Sequence, residues 1–124
     1  MQKQVIVIKL GTASITDENG VIRKPVIKKV AASIADLSKT YNVVLVSSGA
    51  VGSGKAFIQN YKGTLSERKA AAAIGNPILI QLYQKYFADY KIPVAQALCE
   101  RFHFSNRPQF LQLKETFEAF WNNG

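Results

Sequence analysis

Val5-Ile6-Val7-Ile8-Lys9-Leu10-Gly11-Thr12-Ala13-Ser14 is the stretch on which the reading of this chain turns. Its leading apolar residues show no polar alternation, the pattern of a strand buried on both faces in a helix-covered parallel sheet. A Lys, a Gly and three small or hydroxylated residues complete it. In open parallel sheets, ligands bind beyond the carboxyl ends of the strands. A cation there, beside a glycine that lets backbone N–H groups approach, suits a phosphate. A buried strand running into an ordinary polar turn reads the same way, so this stretch alone leaves both meanings open.

A second continuous apolar run, Val43-Val44-Leu45-Val46, is followed by Ser47-Ser48-Gly49-Ala50-Val51-Gly52-Ser53-Gly54-Lys55. Between the two runs, Asp17-Glu18-Asn19-Gly20 reads as a turn and Pro25 suits the first position of a helix. Val26, Ile27, Val30, Ala31, Ile34 and Leu37 recur at helical spacing among charged residues, predicting an amphipathic helix ending near Lys39. Strand, helix and strand in about 45 residues fit a right-handed βαβ unit. Both strands then end on one edge, which places the Lys9–Thr12 turn beside the Ser47–Gly54 loop.

Further along, Tyr61-Lys62-Gly63 reads as a loop. Thr64-Leu65-Ser66-Glu67 is a capping box opening a helix through Ala70–Ala73. Gly75-Asn76-Pro77 is expected to kink or break that helix. A second helical stretch carries Leu79, Leu82, Tyr83, Tyr86 and Tyr90, with Phe87 alongside, as core or a subunit interface rather than a ligand box. Ile92-Pro93-Val94-Ala95 is expected to be a third strand, with Pro93 at its start. Residues 96–106 read as irregular. A last helix is expected from about Pro108 to Trp121, with Phe110, Leu113, Phe117, Phe120 and Trp121 on one face.

The bulk properties narrow the function classes. A chain of 124 residues, 48% hydrophobic, has room for one domain with a real core. No apolar run approaches the roughly 20 residues of a membrane span, and the N-terminus lacks a signal-peptide pattern. Cys99 is the single cysteine, which excludes an internal disulfide framework and a cysteine-built zinc site. A cytoplasmic protein is expected. The net charge of +8 is scattered, as at Arg23-Lys24, Lys28-Lys29 and Arg68-Lys69, without a block of five like charges. Such charges read as solvated helix faces, so neither nucleic acid nor a membrane is expected as partner.

The two glycine loops admit two chemistries. Gly49-x-x-x-x-Gly54-Lys55 has the spacing of a P-loop, and a P-loop-like nucleotide-binding module using Lys55 is one reading. Ala56 stands where that motif needs a hydroxyl for Mg²⁺. In the other reading the two loops share one anionic ligand pair. Lys9 faces phosphate and Gly11 lets the backbone come close. Ser48, Gly49 and Ala50 offer a hydroxyl and N–H groups, a carboxylate site helped by a helix dipole if Gly49–Phe57 opens a helix. A degenerate, non-catalytic binding or oligomerisation domain is a third reading. His103 reads as a surface or structural residue, and Cys99 as core.

Val-Ile-Lys-Leu-Gly-Thr at 7–12, Val-Ser-Ser-Gly-Ala-Val at 46–51 and Ala-Ala-Ile-Gly-Asn-Pro at 72–77 together resemble the amino acid kinase family, over about Val5 to Asn123. The resemblance implies a three-layer αβα sandwich around a mainly parallel sheet. It implies ATP and Mg²⁺ as cofactors and phosphorylation of the side-chain carboxylate of L-glutamate to an acyl phosphate, the first step of proline synthesis. Lys9 is then the catalytic contact to the ATP phosphates, with Gly11 and Thr12 shaping that loop. Ser48, Gly49 and Ala50 hold glutamate. Arg101 matches a family arginine linked to substrate and to inhibition by proline.

The sequence departs from the family pattern at Glu100-Arg101-Phe102-His103, at Phe110-Leu111-Gln112-Leu113-Lys114, and at Asn76, where the family has Gln. Family members continue into a further strand with an acidic motif and into the adenine- and Mg²⁺-binding elements. Residues 1–124 are therefore expected to be the N-terminal half of such a domain, cut after about three strands. Little kinase activity is expected alone, and self-association through an exposed sheet edge is expected.

Overall fold

A computed structural model describes residues 3–97 and 107–122. Strands β1 (Val5–Leu10) and β2 (Asn42–Ser47) pair in parallel, with Val5 opposite Asn42, Lys9 opposite Val46 and Leu10 opposite Ser47. Helix α2 (Lys24–Leu37) makes the crossover, with a proline in its first turn as expected. Ile27, Ala31 and Ile34 form its buried stripe. They meet Leu79, Tyr83 and Phe87 of helix α4 (Leu65–Ala88), while Ile8, Leu10, Val43 and Leu45 pack up from the sheet. Each large side chain fully buried in such a core is worth about 1.5–3 kcal/mol.

The expectation of strands buried on both faces is corrected. Exposure alternates along β1, with Ile6, Ile8 and Leu10 on the covered side. Val5 is 52% exposed, Val7 63% and, on β2, Val46 45%. Helices α2 and α4 both supply the same core cluster as Ile8 and Leu10. Among the described residues nothing buries the opposite face, so one layer of the expected sandwich is built.

Between β1 and α2 the chain makes more than a turn. Thr12–Ile15 is a short helix, α1, that the sequence reading missed. After it, Asp17 Oδ1 accepts from the N–H groups of Asn19 and Val21, at 2.8 and 3.0 Å. Gly20 takes φ 80°, and Thr16 and Ile22 form an antiparallel bridge. The turn expected at 17–20 is therefore present.

Helix α4 is one continuous helix, so of the expected kink or break at Gly75-Asn76-Pro77 the break does not occur. Proline removes the N–H that would reach the carbonyl of Ala73. Ala73 and Pro77 both lie on the exposed side, where water can serve that carbonyl. The capping box at its start is complete. Glu67 N–H donates to Thr64 Oγ1 at 3.2 Å, and Thr64 N–H donates to Glu67 Oε1 at 3.1 Å. Hydrogen bonding by Thr64 first, then by the Lys62 N–H to Glu67 Oε2 at 2.9 Å, lowers the Glu67 carboxyl below its usual range.

The third strand expected at Ile92–Ala95 is also corrected. Lys91 adopts φ 57°, and Ile92 N–H donates to the Phe87 carbonyl at 3.2 Å. That N–H closes the end of α4 instead of joining a ladder. Pro93 has no N–H to offer. Ile92 and Val94 still pack against the core. The last helix, α5 (Arg107–Asn122), forms as expected. Phe117 stacks on Trp121 at 5.8 Å. Cys99, Arg101 and His103 lie outside the described residues.

Candidate active site at the strand ends

The two glycine loops meet, as the parallel topology requires. The register carries β1 and β2 to a common edge, and Ser48 N–H extends the ladder by donating to the Leu10 carbonyl at 2.9 Å. Lys9 sits one residue inside the end of β1, on the open face of the sheet. Gly11 and Thr12 follow at once, and Thr12 is exposed at the first position of α1. Ser48 is half-buried across from them. The Lys9 ammonium and the Thr12 and Ser48 hydroxyls find no hydrogen-bonding or ionic partner among the described residues. A cation and two hydroxyls gathered at one strand edge, none used by the fold, are the means to hold an anion.

Gly49 is buried at φ 105°, ψ −1°, directly before helix α3 (Ala50–Gly54). A Cβ there would press on Ile15 Cδ1 at 2.8 Å, so the buried Ile15 of α1 packs onto the Ser48–Gly49 turn. This contact and the Ser48–Leu10 bond make the two loops one unit. The expected helix over Gly49–Phe57 is present in two pieces, α3 and a 3₁₀ turn at Lys55–Phe57. A helix so short supplies free N–H groups and little macrodipole.

The backbone of α3 lies directly against α4. A Cβ at Gly54 would overlap the Ala71 carbonyl, and one at Gly75 would overlap the Ala50 carbonyl. Glycine at both positions lets the helices touch backbone to backbone. Through this contact α4 carries the loop that holds Ser48.

The P-loop reading does not fit this geometry. The residues between Gly49 and Lys55 are helical rather than an open loop around a phosphate. Lys55 follows on the 3₁₀ turn with its side chain against Gly20. Among the described residues no three His, Cys, Asp or Glu side chains gather as a metal site, and Mg²⁺ in phosphoryl transfer is held largely by substrate phosphates and water. No role for it is assigned to these side chains. A groove of about 430 Å³, lined by Ala35, Lys39, Tyr90 and Ile92 among others, lies where α2 ends before β2. That is the opposite edge of the sheet from Lys9 and Ser48.

The sequence reads Tyr83 as core or subunit interface, and it lies in the core, 3% exposed. That reading missed that the phenol hydroxyl stands 2.7 Å from Ser47 Oγ. Burial raises the Tyr83 pKa, with the Ser47 bond acting the other way, so the phenol is neutral at ordinary pH. A tyrosine between Leu79 and Phe87 in a buried stripe is the signal that could have found it, since a buried hydroxyl needs a partner.

The sequence profile of the amino acid kinase family matches residues 4–124. Curated relatives carry the name glutamate 5-kinase. That of Caldanaerobacter subterraneus subsp. tengcongensis is 40% identical over 114 residues, covering 90% of this chain and 31% of the relative. That of Helicobacter hepaticus is 37% identical over 119 residues, covering 96% and 45%. That of Haemophilus influenzae is 31% identical over 126 residues, covering 99% and 34%. The chain spans 31–45% of the length of these relatives. Among the described residues, no helix is long and apolar enough to cross a membrane.

Proposed function

The chain belongs to the amino acid kinase family, and from that premise we propose that it carries one side of a glutamate 5-kinase active site. The reaction is transfer of the γ-phosphoryl group of ATP, with Mg²⁺, to the side-chain carboxylate of L-glutamate, giving glutamyl 5-phosphate for proline synthesis. A carboxylate oxygen bonds to the γ-phosphorus, and the bond from that phosphorus to the β–γ bridging oxygen breaks, releasing ADP. The glutamate carboxyl, with an ordinary pKa of about 4.3, is already ionised at neutral pH and needs no general base. Such transfer depends mainly on positioning and charge stabilisation. Lys9 contacts the ATP phosphates and offsets charge on the transferring group. Gly11 and Thr12 shape that side, and Ser48, Gly49 and Ala50 hold glutamate. Arg101 is assigned to the substrate and to inhibition by proline.

One observation carries the reading. The 2.9 Å bond from Ser48 N–H to the Leu10 carbonyl brings the two loops together, while the side chains of Lys9, Thr12 and Ser48 have no partner among the described residues. ATP binding measured by calorimetry, on the chain completed with the downstream part its relatives carry where residues 1–124 alone bind too weakly, tests it. Lys9→Ala should weaken ATP at least tenfold, and Lys55→Ala should leave it within twofold; one ion–phosphate contact is worth about 1.5–3 kcal/mol. The reverse pattern would restore the nucleotide site at Lys55. Turnover by residues 1–124 alone should be negligible. The open face bearing Val5, Val7 and Val46 supports self-association into a homo-oligomer, which a monomer in sedimentation at high concentration would refute.

A further inference from the structure

Ser47 closes β2, and its hydroxyl has two neighbours. Ser47 Oγ donates to the Ser48 carbonyl at 3.0 Å and stands 2.7 Å from the Tyr83 hydroxyl. A serine hydroxyl has one proton. With that proton on the Ser48 carbonyl, the Tyr83 phenol must be the donor to Ser47 Oγ. The result is a directed chain from Tyr83 O–H to Ser47 O–H to Ser48 C=O. Its origin is fixed, because Tyr83 is buried among Leu79, Phe87 and Ile34.

The consequence falls on the next peptide. In a planar trans peptide the C=O of Ser48 and the N–H of Gly49 point in opposite directions. Holding that carbonyl on the Ser47 side aims the Gly49 N–H away from it. This N–H has no hydrogen-bond partner among the described residues. The backbone itself sets no preference here, because glycine enters positive and negative φ about equally readily. Gly49 stands at φ 105°, a region that only glycine enters without penalty. A half-turn of the Ser48–Gly49 peptide would bring its φ into the negative range open to every residue. Two orientations are thus available, and the hydroxyl chain selects one.

We propose that Tyr83 is a positioning residue of the anion site, acting through Ser47 to hold the Ser48–Gly49 peptide with its N–H free for the ligand. The proposal rests on the reading of Ser48–Ala50 as the glutamate side of the site. It adds a residue of α4 that touches no substrate.

The test uses residues 1–124 and the variants Tyr83→Phe, Ser47→Ala, Ser47→Thr and the Tyr83→Phe/Ser47→Ala double. In ¹⁵N–¹H spectra without ligand, Tyr83→Phe and Ser47→Ala should shift or split the Gly49 amide signal, while the Ser48 amide stays protected from exchange. Glutamate affinity by calorimetry should fall about fivefold in each, the equivalent of one neutral hydrogen bond. ATP affinity should stay within twofold. Ser47→Thr keeps the hydroxyl and should restore both readouts. The double variant should be no worse than either single, because both break one chain. An unmoved Gly49 signal in a folded Tyr83→Phe protein overturns the proposal, as does Ser47→Thr behaving like Ser47→Ala. If residues 1–124 bind no glutamate, the Gly49 signal alone decides the positioning role, and absence of glutamate binding by the chain completed with the downstream part its relatives carry is what refutes the glutamate reading.

Discussion

Gly11 and Gly49 stand on facing loops of the same site, yet their surroundings are opposite. Gly11 has φ −75°, ψ 162°, ordinary extended backbone, and a Cβ on it would meet nothing within 4 Å. Gly49 has φ 105° and is pressed by Ile15, while Gly54 and Gly75 just behind it touch backbone carbonyls. The fold needs a glycine on the second loop and has no use for one on the first. What Gly11 leaves open is space at a strand edge near Lys9. On the proposed function the pair separates a glycine kept for packing from one kept for binding.

That separation can be broken by experiment. The largest effect is expected from Gly75→Ala or Gly54→Ala, where the new methyl runs into a carbonyl rather than a yielding side chain. Overpacking commonly costs about 1–3 kcal/mol, and these should reach about 3 kcal/mol or more in urea unfolding. A loss below about 1 kcal/mol would mean that α3 and α4 separate easily. Gly49→Ala comes next. The left-handed backbone costs roughly 1–2 kcal/mol, and Ile15 must also shift.

A smaller loss, about 1 kcal/mol, is expected for Thr64→Ala, which removes the cap of the helix bearing Gly75 but touches neither loop. This effect should depend on pH. The folded-state pKa of Glu67 is lowered, so its contribution is present above the unfolded value of about 4.5 and is lost as pH falls through the folded value. The stability gap between the unmodified chain and Thr64→Ala should therefore narrow in acid unfolding; a gap constant from pH 7 to 3 would contradict it. Gly11→Ala should be the smallest in stability, within about 0.5 kcal/mol. Its ATP affinity should nevertheless drop, since the methyl enters the space left for phosphate. A Gly11→Ala protein that unfolds early, or binds ATP normally, would collapse the distinction between the two glycines.

The legible features were those whose cause is local. The apolar runs at 5–8 and 43–46 became the two strands. The stripe from Val26 to Leu37 became α2, and Thr64 with Glu67 formed the cap. Parallel pairing then brought Lys9 and Ser48 to one edge, as the order strand–helix–strand demands. Expectations failed where a distant partner decided. Pro77 did not interrupt α4, because the bond it removes falls on the solvent side. Ile92 did not enter the sheet, because its N–H was spent on the end of α4.

By itself, then, the sequence determined where the two paired strands, helix α2, the capped start of α4 and the glycine loops lie, and that the two loops meet at the strand ends. Periodicity, capping and turn chemistry act over a few residues and are written in order along the chain. The tertiary structure alone decided which sheet face is covered, which glycines touch backbone, and that Tyr83 reaches Ser47 across 36 positions. Those outcomes depend on what lies opposite each group in space, and a buried hydroxyl or a missing Cβ acquires its meaning only from that neighbour.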